Sequence, residues 1–134
     1  MKRIVLLFVL GLFINSCSDE PQDSYEFYIL PVYEVTMPET FSLNTISNII
    51  VKYKRPSNCH FFNGFNYKTN GFTRTVSVEA AKIVKENCIN DGESIVSQTL
   101  QFKPTEIGTY HFKFWIGLSL QGEDQYIEHY IEVN

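Results

Sequence analysis

Apolar and polar residues alternate with a period of two over most of the chain from Tyr25 onward. The longest run is Tyr110 to Leu120. Tyr110, Phe112, Phe114, Ile116, Leu118 and Leu120 fall on one side, and His111, Lys113, Trp115, Gly117 and Ser119 on the other. A helix would scatter those six apolar residues around its circumference, so the run predicts a half-buried strand. Gln121-Gly-Glu-Asp124 supplies a polar turn, and Tyr126 to Val133 returns, which predicts a C-terminal hairpin.

Earlier segments repeat the pattern. Ile49, Val51 and Tyr53 alternate before a Pro56-Ser-Asn turn. Phe61, Phe65 and Tyr67 belong to the next strand, which ends at Lys68-Thr-Asn-Gly71. Val76 and Val78 lie on the return strand, Asn90-Asp-Gly92 marks a turn, and Gln98, Leu100 and Phe102 lead to Lys103-Pro104. Phe27 to Val35 reads as extended, but Pro31 lacks an amide donor and confines the segment to an edge or a bulge. Glu79 to Glu86 fits either a continued strand or two turns of helix; its β-rich neighbours favour the strand. About seven short strands with no alternating helices predict an antiparallel β-sandwich over residues 25–134.

The residues Glu106-Ile-Gly-Thr-Tyr110-His-Phe112 resemble the penultimate-strand signature of immunoglobulin-like domains. The resemblance implies an immunoglobulin-like sandwich in which the Tyr110 hydroxyl bonds back to the backbone at a corner. Phe112 stands where antibody domains place a cysteine. Such a motif speaks to fold and hardly to function.

The first sixteen residues follow a different rule. Lys2-Arg3 precede an almost unbroken apolar run, Ile4 to Ile14. Eleven residues of helix at ~1.5 Å each reach about half of the hydrocarbon core, so the run suits a secretory signal and not a membrane span. Ile14-Asn15-Ser16-Cys17 resembles a bacterial lipobox, although Asn15 departs from its commonest form, and Ser18-Asp19-Glu20 resembles the serine-plus-acidic export signal of Bacteroidota surface lipoproteins. The resemblance implies cleavage after Ser16 and lipidation of Cys17. It also implies anchoring in the outer membrane, with the domain on the cell surface. An ordinary secreted protein, with Cys17 in a cleaved or unstructured segment, is the plainer alternative. Residues 17–24 then form the lipidated cysteine and a polar tether.

Charge and cysteine count extend this picture. The 134 residues carry 11 Lys+Arg and 15 Asp+Glu, a net charge of −4. Loss of residues 1–16 removes two of the basic residues and no acid. An acidic domain is a poor general nucleic-acid binder, and it is held at a membrane by acyl chains and not by basic side chains. With Cys17 lipidated, Cys59 and Cys88 remain as a pair for a disulfide in an oxidising compartment; two free thiols or a metal pair are the alternatives.

Candidate chemistry is sparse. Cys59-His60 invites a nucleophile and base, but neighbours on a strand point to opposite faces. His60, His111 and His129 lack zinc-ligand spacing, so no metal or other cofactor is expected. His111 should face outward. His129, in phase with Ile127, Ile131 and Val133, should be a partly buried, hydrogen-bonded residue. Nucleophile elbows, phosphate loops and His-Glu-x-x-His motifs do not occur. Glu123-Asp124 read as solvated turn residues, and Lys52-Tyr-Lys-Arg55 as strand-end charges. Trp115, opposite in phase to the core residues, is the one candidate contact for a protein or glycan partner. The expectation is a non-enzymatic, lipid-anchored binding or structural module. A glycan-binding surface module is the alternative, and a small hydrolase or protease inhibitor a more distant one.

Overall fold

A computed structural model describes residues 24–84, 87–90 and 94–134. The signal-like segment 1–16, Cys17, most of the tether and the Asp91-Gly92 part of the expected turn lie outside the described residues.

The described residues fold as an all-β sandwich of eight strands: β1 (Tyr25–Leu30), β2 (Val32–Thr36), β3 (Ser47–Arg55), β4 (His60–Asn70), β5 (Thr73–Ile83), β6 (Ser94–Phe102), β7 (Gly108–Leu118) and β8 (Asp124–Val133). One sheet holds β1, β4, β5, β7 and β8; the other runs β2-β3-β6. The eighth strand arises at Pro31. The extended segment 27–35 is cut there, and its halves join different sheets, with Leu30 and Val32 both buried on either side of the proline. Residues 79–83 continue β5 as a strand, while Lys85 and Glu86 are outside the described residues.

Pairing is antiparallel except between β5 and β7, which run parallel over Thr73–Val76 and His111–Phe114. The route of the chain explains the exception. It leaves β5, crosses to the small sheet as β6, and crosses back as β7, so two reversals restore the direction of β5. The same edge of β5 is shared end to end by β1, which pairs with Val78–Ile83, and by β7, which pairs with Thr73–Val76.

The alternation places the core as expected for most of its length. Ile49, Val51 and Tyr53 from β3 face Val76, Val78 and Ala80 from β5, and Phe112 and Phe114 from β7; all are essentially inaccessible. Phe102 touches the rings of Tyr110 at 5.1 Å and Phe112 at 5.0 Å edge-on, so the sheets are joined by an aromatic cluster. Phe41, in the β2–β3 connection, inserts beside Phe112 and forms a parallel bridge to Val133 at the outer edge of β8.

Two bulges break the simple reading. Between Phe62 and Gly64 the pairing with β5 shifts by one residue, so Phe62 and Phe65 pack on the core while Phe61 is exposed. Between Trp115 and Gly117 the pairing with β8 shifts in the same way. The inward row predicted for Tyr110–Leu120 therefore stops at Phe114, and Ile116, Leu118 and Leu120 are exposed. Gly117 follows that bulge at φ 116°, a conformation closed to residues with a Cβ.

Tyr110 is buried as the immunoglobulin-like signature implies, but by its ring. Phe72 meets it edge-on at 5.0 Å, and the Arg74 guanidinium lies 4.9 Å from its centroid. The hydroxyl-to-backbone bond that the resemblance implies is not among the hydrogen bonds of the described residues. Gly108 makes room for this arrangement. A Cβ there would lie 2.9 Å from the Phe72 ring, at a backbone φ of 148°.

Candidate functional site

Residues of the five-stranded sheet that point away from the core form its open face. At the middle of that face β1 and β7 part. Leu30 is opposite Val78 and Phe114 is opposite Val76, so Ser77 stands between the two departing strands. The chain breaks at Pro31 and continues as β2 in the other sheet, and β7 ends its pairing with β5 at Phe114, just before its bulge at Ile116. A groove of about 310 Å³ opens there, lined by Ile29, Asn66, Lys68, Thr75, Ser77, Trp115, Asp124 and Tyr126.

Each wall has a simple origin. Asn66 and Lys68 alternate outward on β4 opposite Ser77 and Thr75 of β5, which gives a floor of one amide, two hydroxyls and an ammonium. Trp115 and Tyr126 are register partners across β7 and β8 and supply the aromatic wall. The indole Nε1–H of Trp115 donates to Asp124 Oδ1 at 2.7 Å. That bond holds the half-buried ring in one orientation, so Trp115 is neither fully covered nor free. Asp124, expected to be a solvated turn residue, is the side chain that positions it. Burial first, and then the Asp124 charge, push the Tyr126 phenol above the ordinary tyrosine range. The Lys113 ammonium sits 4.2 Å from the Tyr126 ring centroid.

The same face continues beyond the groove. His111 is outward, as the alternation predicts; it bonds Glu128 at 2.6 Å and stacks on Tyr130 with centroids 4.2 Å apart. Toward the other end, exposed Phe61 and Phe27 flank Ala81 in register on β4 and β1.

The remaining sequence candidates are placed as follows. Cys59 and Cys88 form a disulfide with Cα atoms 5.6 Å apart, so Cys59 is not a nucleophile beside His60. The bridge is bracketed by Asn58, whose amide donates to the Ile89 carbonyl at 3.1 Å and whose Oδ1 accepts from the Ile89 amide at 3.0 Å. His60 is buried, with Nδ1 2.8 Å from Ser57 Oγ, inside the turn that leads into β4. This Ser–His contact holds a turn, because Ser57 is itself buried and its Oγ also accepts the Cys59 amide at 3.3 Å.

His129 corrects one expectation. It is half-buried against Phe114, but its Nε2 finds no hydrogen-bond partner. The Lys52–Arg55 cluster is dispersed by strand alternation: Lys52 pairs with Glu34 at 2.9 Å, Lys54 lies over Tyr33, and Tyr53 between them is buried. No group of three or more metal-ligating side chains occurs among the described residues. Cys17 lies outside them.

Comparison with known proteins finds no matching family model, no matching curated protein and no matching solved structure.

Asn66, Thr75 and Ser77 were not singled out by the sequence, while Asp124 was read there only as a solvated turn residue and Tyr126 only as the start of the return strand. The trace that Asn66, Thr75 and Ser77 leave there is that Asn66/Lys68 and Thr75/Ser77 are polar at alternate positions on two successive strands. That marks an open face but not a groove within it.

Proposed function

We propose that this chain is a non-enzymatic binding module of the bacterial envelope, anchored to the outer membrane through lipid on Cys17 and displayed toward the outside of the cell. The observation that carries the binding part of this reading is the groove at Trp115: a positioned indole, a phenol and three uncharged polar side chains converge where β1 and β7 part along one edge of β5. The anchor rests on the lipobox-like residues up to Cys17 and on the acidic triplet after it. A short polar tether then presents the sandwich, and the disulfide closes the end at which the tether enters, since Ser24 accepts the Val84 amide beside it.

Within this reading the ligand class favoured by the groove is a neutral saccharide. An aromatic ring stacks on the C–H face of a sugar, and amide and hydroxyl groups satisfy its hydroxyls. The lining holds one ammonium and one carboxylate, so no net charge selects a strongly ionic ligand. The experiment is a glycan array probed with the full chain, followed by titration of the hits. Trp115→Ala should weaken binding at least tenfold. Asp124→Asn, which keeps an acceptor for the indole, should weaken it less than Asp124→Ala. Binding that ignores Trp115→Ala removes the groove from the account. No signal on the array turns the reading to a protein partner for the same face.

A further inference from the structure

The edges of the two sheets are protected unequally. An exposed strand edge offers unpaired amides and carbonyls to any other strand, and folded proteins blunt such edges with charge, proline, bulges, short length or a covering segment. β1 is six residues long, carries Glu26 and ends at Pro31. β2 is five residues long, carries Glu34 and has a register shift between Val32 and Glu34. β4 has the bulge at Asn63 and carries Lys68. β8 carries Asp124, Glu128 and Glu132, and Phe41 covers its end through a bond from the Phe41 amide to the Glu132 carbonyl.

Among the described residues, β6 has none of these devices. Its sequence, Ser-Ile-Val-Ser-Gln-Thr-Leu-Gln-Phe, contains no charge and no proline. All nine residues pair with β3 without a register shift, and no strand among the described residues covers the other side. Ile95, Ser97, Thr99 and Gln101 point to solvent, while Leu100 and Phe102 are buried beneath them.

We propose that β6 pairs antiparallel with β6 of a second copy of this chain, about a two-fold axis at Gln98. That register pairs the strand from Ile95 to Gln101. It keeps the core side opposite the core side, with Val96 facing Leu100. It sets Ser97 opposite Thr99 on the solvent side, a hydroxyl pair suited to neighbouring strands. An uncharged strand meets no like-charge repulsion when it faces itself, which is the condition an acidic chain must satisfy to self-associate along an edge. The result is a six-stranded sheet, β2-β3-β6 followed by its symmetry mate. The groove on the larger sheet stays open in both copies, so the dimer would present two such sites.

The test is light scattering of the full chain in mild detergent over a range of concentrations. The parent chain should be a concentration-dependent dimer. Ser97→Lys with Thr99→Lys places four ammonium groups in two opposed pairs and should weaken the dimer at least tenfold. Ser97→Glu with Thr99→Glu should do the same, and mixing the two variants should restore a dimer. Leu120→Lys, a fully exposed change at the far hairpin tip, should leave association unchanged. Near-ultraviolet circular dichroism checks that each variant is folded. A parent chain that is monomeric at every concentration overturns the proposal and leaves the edge to an extended segment of another protein. A dimer indifferent to the lysine pair overturns it equally.

Discussion

At the scale of single residues, the molecule sets a few polar groups against their surroundings. The clearest is His129, whose Nε2 is buried without a partner next to Phe114. A buried polar atom left unpaired costs about 1–3 kcal/mol, whereas an apolar side chain of similar shape carries no such cost. His129→Phe should therefore raise unfolding free energy by about 1 kcal/mol in a urea titration at neutral pH; a loss of similar size would mean that the imidazole is hydrogen-bonded after all. Trp115 shows the opposite case. Its one donor is satisfied by Asp124 across the hairpin, so the bond that positions the ring connects the two ends of a turn. Sequence phase correctly set Trp115 apart from the core row. It had no means of indicating Asp124, because that partnership depends on the one-residue shift at Ile116.

At the scale of elements, the alternating runs of β3, β5 and β7 were legible because one face of each is buried. The bulges at Asn63 and Ile116 were not. A bulge adds one residue without any compositional mark, yet it reverses every side chain beyond it. Phe61, grouped in the sequence with Phe65 and Tyr67, is exposed for this reason, and so is Leu118, while Leu120 lies past the strand in the turn. Pro31 was legible as a break, but not as the point at which the chain changes sheets. The disulfide follows from counting cysteines once Cys17 is set aside, and Cys59 and Cys88 are indeed bonded. With 29 residues of separation, loop-closure entropy assigns the bridge about 3–4 kcal/mol. The double substitution Cys59→Ala, Cys88→Ala should lower unfolding free energy by about 3 kcal/mol. It should leave strand content unchanged by far-ultraviolet circular dichroism, because Asn58 still clamps Ile89. Collapse of the β signal would show that the bridge holds more than one end of the sandwich.

At the scale of the whole molecule, two features set its response to conditions: two tyrosines, Tyr53 in the core and the part-exposed Tyr67 on β4, have desolvated phenols, and the open face is rich in aromatic and polar side chains. Burial pushes the Tyr53 and Tyr67 hydroxyls above the ordinary tyrosine range. The folded state therefore keeps protons that the unfolded chain loses near pH 10. The stability linked to these two residues is complete below that pH and is lost as pH rises above it. Urea midpoints measured from pH 8 to 11 should fall above about pH 10. The fall should be shallower in Tyr53→Phe with Tyr67→Phe, and an unchanged slope would assign alkaline unfolding to other groups.

The sandwich as a whole could be read from the chain, since a period of two without helices leaves few alternatives. The parallel contact between β5 and β7 could not, because it depends on where the chain crosses between sheets. The groove depends on that contact: it exists only because β1 and β7 share one edge of β5 and then diverge.

The membrane address is the premise on which the envelope role rests, and labelling with a radioactive or clickable fatty acid tests it directly. The full-length chain, expressed in a bacterial host with a lipoprotein pathway, should incorporate label. Cys17→Ala should abolish it, while Cys59→Ala with Cys88→Ala should not. Protease added to intact cells should then digest the labelled protein. A chain that takes up no label, or one that labels equally with Cys17 replaced, would contradict the account and leave the domain a secreted sandwich without an anchor.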